Sequence, residues 1–159
     1  MIKMKGQTAM EYLMTYGWAI VVIVIVLAVL AAMFSQSQAV EYCSFNPIGS
    51  FTCEGNPAIY TTGSTVEVVL TFRNNYADTV DFSATNAGVS CNGGTQVKPS
   101  SPTVAPGETT TVTVDCGNVG TEGQKFDQEI EFRYQLPADK TAGSYRTAKA
   151  TVRGTIGTK

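Results

Sequence analysis

Four cysteines, Cys43, Cys53, Cys91 and Cys116, are the residues of this chain best suited to covalent chemistry, and they all lie in its C-terminal three quarters. Their spacings are not of the C-x-x-C kind, so they do not frame a zinc site. An even number behind a long apolar segment predicts two disulfides in an oxidising, exported location. Three connectivities are open. Cys43–Cys53 and Cys91–Cys116 are the expected pairs, because each closes a local loop. There is no histidine, which removes the commonest general base and the commonest metal ligand. Asp127, Glu129 and Glu131 alternate along one predicted strand. Carboxylates two apart on a straight strand do not wrap a cation, so they are read as a solvated outer face. No phosphate-binding glycine loop, nucleophile elbow or framed carboxylate pair occurs. The chain is therefore read as a non-enzyme that needs no cofactor and no metal.

Composition narrows the class further. The chain has 159 residues, of which 15% are charged, with a net charge of −2. That length accommodates one modest folded domain beside a long apolar element. Lysine and arginine are scattered singly after position 70, so no nucleic-acid partner is expected. No N-x-S/T sequon occurs. The threonines of Thr61–Thr65 and Thr109–Thr113 could carry O-glycans, but threonine is also a good strand residue.

The element that organises everything else is KGQTAMEYLMTYGWAIVVIVIVLAVLAAMFS, Lys5 to Ser35. Lys3 and Lys5 precede Gly6-Gln7. Glu11 follows, and then no charge appears until Glu41. Trp18 to Phe34 is apolar on every helical face, so such a helix must be surrounded by lipid or protein. As one helix, Thr8 to Ser37 would be about 45 Å long, enough to cross a bilayer. Positive charge before the segment and none directly after it put the leader in the cytoplasm and the cysteines outside.

Residues Lys5-Gly6-Gln7-Thr8-Ala9-Met10-Glu11-Tyr12-Leu13 resemble the class III signal peptide of archaeal type IV pilins. That family carries a basic leader ending in glycine, and its mature chain begins near Q-x-S-x-E-x-x-x-L. Here Ala9 stands at the serine position, and the ninth residue after the glycine is Thr15. The resemblance implies a membrane aspartyl prepilin peptidase that cuts on the cytoplasmic side, between Gly6 and Gln7. Glu11 becomes the fifth mature residue, and the helix stays in the product. Cutting there removes two lysines and leaves a net charge of −4. The implied partners are further copies of the chain in a helical polymer, the prepilin peptidase and, before assembly, the membrane. The implied use is adhesion to cells or surfaces. Two readings of Glu11 stay open: an ion pair with the new amine of Gln7, or a water-exposed carboxylate favouring the helix N-terminus. Two rival readings of the segment also stay open. One is a plain membrane anchor. The other is a secretory signal cut after Ser37-Gln38-Ala39, although the apolar run is longer than such a signal needs.

Beyond Glu41 the pattern changes to alternation. Thr65–Arg73, Val80–Ala84, Thr109–Cys116, Phe126–Leu136 and Thr147–Ile156 each put apolar residues on one face, as half-buried antiparallel strands do. Turn signals separate them at Thr62-Gly63-Ser64, Asn92-Gly93-Gly94, Ala105-Pro106-Gly107-Glu108 and Gly120-Thr121-Glu122-Gly123. Seven or so short strands predict an immunoglobulin-like β-sandwich. Cys91 and Cys116 share the parity of inward residues, so their bridge would join strands in the core. The expected organisation is a leader at 1–6, an apolar helix at 7–40 and an extracellular β-sandwich at 41–159, an α+β chain.

Overall fold

A computed structural model describes residues 5–35 and 40–159. The chain divides into two compact units, Met1–Ser37 and Gln38–Lys159. Helix α1, Lys5–Ser35, is the described element of the first unit. It contains no proline to interrupt its hydrogen-bond ladder. The Ser37-Gln38-Ala39 cleavage reading and the expected helix end at Ser37 lie outside the described residues.

The second unit is β-rich, with eleven strands and one short helix among the described residues. In chain order the strands are β1 (Tyr42–Asn46), β2 (Phe51–Cys53), β3 (Ala58–Thr62), β4 (Thr65–Asn74), β5 (Val80–Asp81), β6 (Gly88–Cys91), β7 (Thr103–Val104), β8 (Thr109–Asp115), β9 (Lys125–Tyr134), β10 (Arg146–Thr155) and β11 (Gly157–Thr158). Helix α2, Pro137–Ala142, joins β9 to β10. The expected count of about seven strands was too low. The four long alternating strands stand at β4, β8, β9 and β10. The Val80–Ala84 strand shrinks to two residues, because the ammonium of Lys98 takes the carbonyls of Phe82, Ser83 and Ala84 that a ladder would need.

One sheet has the order β1-β10-β9-β6, antiparallel throughout. The other is built on β4. Strand β8 pairs with Glu67–Arg73 on one side, while β3 and β2 pair with Thr65–Val69 and Phe72–Asn74 on the other. Thus β3 and β2 lie end to end along β4, and β11 adds to β3 in parallel. Strands β5 and β7 form a separate short ladder. The β3–β4 hairpin closes through Gly63-Ser64, with Gly63 at φ 64°, a conformation glycine adopts without a Cβ clash. At Gly88 a Cβ would lie 3.0 Å from the Val97 carbonyl oxygen, which explains glycine where β6 passes that segment.

The apolar faces of the two main sheets share one core. Phe126, Ile130, Phe132 and Tyr134 of β9 belong to it with Val66, Val68, Leu70 and Phe72 of β4. Asp127, Glu129 and Glu131 point to water on the opposite face of β9. Two of the core residues on β10 are small, Ala148 and Ala150, opposite Phe132 on β9 and Phe45 on β1. That small-against-large pairing makes room for rings. Phe51 of β2 uses the room: its ring lies 5.1–6.3 Å from those of Phe45, Phe72, Tyr76, Phe82, Phe132 and Tyr134. Contacts of this kind favour tilted and edge-on geometry.

Candidate functional site

The two units offer different kinds of surface. On α1 the span Tyr16–Phe34 is long and apolar enough to cross a membrane, and none of it is buried within the chain. Its large side chains are exposed from 41% at Val22 to 78% at Phe34. The consecutive run Ile20 to Leu27 sweeps every face of the helix at 100° per residue, so no covered stripe exists. Burying a large apolar side chain is worth about 1.5–3 kcal/mol, so water is not a tolerable surrounding for this span. Gly6 and Gln7 lie in the first turns of α1, and Glu11 is an exposed position on the same helix.

In the β-rich unit the disulfides are Cys43–Cys53 and Cys91–Cys116, and every cysteine is paired. Their placement carries more than their presence. Strands β1 and β6 are the two edges of the first sheet, and Cys43 lies on one, Cys91 on the other. Cys53 ends β2 and Cys116 follows β8, which flank β4 on opposite sides of the second sheet. Each bridge therefore ties an edge of one sheet to an edge of the other. Cys91 and Cys116 are buried, whereas Cys43 and Cys53 are half-buried.

The acidic face of β9 is paired across to β10. Arg153 lies 3.0 Å from Asp127, and Lys149 lies 2.9 Å from Glu129. The Glu129 carboxylate raises the Lys149 ammonium above its ordinary value. Among the described residues no cluster of three His, Cys, Asp or Glu side chains could hold a metal ion. An open groove of about 510 Å³ runs beside the Cys91–Cys116 bridge and is lined by Glu67, Asn92, Thr95, Thr113 and Asp115. Glu67 is already engaged by Lys159, 3.5 Å away.

Polar side chains brace the end of the unit opposite the one where the chain enters at Val40. Asp139 accepts a hydrogen bond from the Leu136 backbone N–H at 3.0 Å, fixing the start of α2, and pairs with Arg146 at 2.7 Å. The Arg146 hydrogen bond holds the Asp139 carboxyl below the usual carboxylate range. Gly143, at φ 66°, ends α2. Asp81 is an ion-pair partner of Lys140 and accepts from the Ser83 N–H. Burial would raise Asp81, but the bonds from Lys140 and Ser83 outweigh it and hold its carboxyl low. The Tyr134 hydroxyl shares a 2.6 Å hydrogen bond with that of Tyr76. Burial, aided by that bond, pushes the Tyr134 phenol far above its ordinary value. Asn74 is fully buried and fully satisfied: its amide donates to the carbonyls of Asp78 and Val104, and its oxygen accepts from the Tyr76 N–H.

None of these braces was anticipated from sequence. Their partners lie as far as 59 positions apart (Asp81 and Lys140), so no local spacing announces them. The one signal was indirect: Tyr134 falls on the inward parity of β9, and a buried phenol needs a partner. No protein-family model matches the chain, and neither the curated proteins nor the solved structures yield a match.

Proposed function

We propose that this chain is the structural subunit of an extracellular type IV pilus-like filament. Residues 1–6 are a leader removed before Gln7, residues 7–40 form the membrane and then filament-core helix, and residues 41–159 form an immunoglobulin-like β-sandwich head. The observation that carries this reading is the span Tyr16–Phe34, apolar on all faces and wholly uncovered by its own chain, joined to a head with a complete core of its own. A helix of that kind can be at home in lipid and then exchange lipid for copies of itself. Both surroundings are apolar, so the exchange is close to neutral in hydrophobic free energy. Its backbone is satisfied internally in either place.

The two disulfides support an oxidising, exported location for the head. Glu11 is the fifth residue after the proposed cut, the position at which the resembled family carries its glutamate, and this spacing supports the filament reading. Adhesion is the use that follows by resemblance, with the heads facing outward.

Mass spectrometry of the mature N-terminus tests this. A chain beginning at Gln7 is the expected result. One beginning at Val40 makes the protein a secreted binding module, and one beginning at Met1 a tethered one. Gly6→Val is expected to block processing and filament formation together; normal fibres from that variant contradict the proposal.

A further inference from the structure

We propose that the Cys43–Cys53 disulfide is a mechanical stop that keeps the head from being unzipped by tension arriving along the chain. The chain enters the head at Val40 and becomes β1 two residues later. Strand β1 is an edge strand with a single neighbour, β10, and the ladder begins with Tyr42 opposite Arg153 and ends with Asn46 opposite Lys149. Tension from the N-terminal side reaches this ladder at its Tyr42 end. Strand pairs pulled from one end open one hydrogen-bonded pair at a time, so five pairs in sequence resist little.

The bridge changes this path. Only the Tyr42 pair precedes Cys43, and Cys43 is tied to Cys53 of β2 in the other sheet. Beyond one pair the load leaves β1 and enters β2. That strand is held on β4 by Cys53 opposite Phe72 and by the Glu54 N–H on the Thr71 carbonyl, at 2.8 Å. Phe51, two residues from Cys53, is embedded among six other rings. The head then cannot yield by shedding its edge; it must yield through the core that joins the sheets. The Cys91–Cys116 bridge ties the opposite edges and lies off this path. In the filament reading the tension comes from the assembled fibre, but the stop belongs to a single head and is measurable whether or not the chain polymerises.

The test pulls the full-length chain in nonionic detergent with magnetic tweezers, using handles attached through azido residues at positions 40 and 122. The intact protein is expected to open in one cooperative step. Cys43→Ser/Cys53→Ser is expected to add an earlier, low-force step that frees the ten or so residues of β1 and its turn, no more than about 35 Å of chain. Cys91→Ser/Cys116→Ser is expected to lack that early step. Should the double variant fail to fold, phosphine reductant applied to the folded wild type on the same tether must bring out the early step, because Cys43 and Cys53 are the more accessible pair. An early step in the intact oxidised protein, its absence after loss of Cys43–Cys53, or its equal appearance after loss of Cys91–Cys116 overturns the proposal.

Discussion

Replacing Phe51 with alanine removes the side chain on which the two sheets converge. Phe51 is 3% exposed and sits on a strand of only three residues, so its ring rather than its ladder anchors that segment. Truncating a buried phenylalanine costs about 3–5 kcal/mol, the spread depending on how far the site collapses. Collapse is hindered here, because four of the six neighbouring rings, Phe45, Phe72, Phe132 and Tyr134, stand on strands of the two main sheets. The upper half of that range is therefore expected, a large share of the roughly 5–15 kcal/mol that a domain has. Phe51→Leu keeps most of the apolar volume and loses the ring geometry, so it is expected to cost about 1–2 kcal/mol. Urea denaturation of the full-length chain in nonionic detergent measures both. With a slope of about 2 kcal/mol per molar, alanine shifts the midpoint down by about 2 M and leucine by less than 1 M. The single tryptophan, Trp18, lies on α1, so the probe must be near-ultraviolet dichroism of the tyrosines. Phe34→Ala is the control, since Phe34 is 78% exposed and makes no part of the core. A midpoint shift below about 0.5 M for Phe51→Ala, or an equal shift for Phe34→Ala, refutes the reasoning.

Three further outcomes follow from the same structure. Loop separations of 10 and 25 residues give about 2.7 kcal/mol for Cys43–Cys53 and about 3.5 kcal/mol for Cys91–Cys116 in the chain-entropy model, so each double alanine variant should melt about 10–15 °C lower. Asp81 and Asp139 both have folded-state values below their unfolded ones, so their stabilisation is complete above about pH 5 and drains away as pH falls through 4 and below. Melting temperatures recorded from pH 7 to 2 should therefore fall in acid, and Asp81→Asn should flatten that fall while lowering the neutral value. At the other extreme Tyr134 resists ionisation, so stability should decline once pH exceeds about 10, where an exposed phenol would ionise, and Tyr134→Phe should blunt that decline.

How much of this was legible in the sequence depended on whether a residue has one buried neighbour face or two. Strands β4, β8, β9 and β10 alternate because one face meets the core and the other water, and their patterns could be read directly. Strand β6 could not: all four of its residues are buried, since the Val97 segment bridges to it outside the ladder to β9. The three-residue β2 and the five-residue β1 are too short for a period to emerge, and they pair with different sheets, β1 with the distant β10 and β2 with β4. Leu136 was grouped with the strand face of β9; it is buried, but the strand stops at Tyr134 and Leu136 precedes α2. For the apolar helix the legibility is of a different kind. A run with no polar face states its own surroundings, whereas the Asp81, Asp139 and Tyr134 braces depend on which loops the topology brings to one end.

The most direct test of the central claim is negative-stain microscopy of fibres sheared from cells that express this chain, with peptide identification of the subunit. The account predicts fibres whose subunit begins at Gln7 and retains the whole span Tyr16–Phe34. Fibres that lack this chain, or a surface protein that has lost that span and stays monomeric, would contradict it.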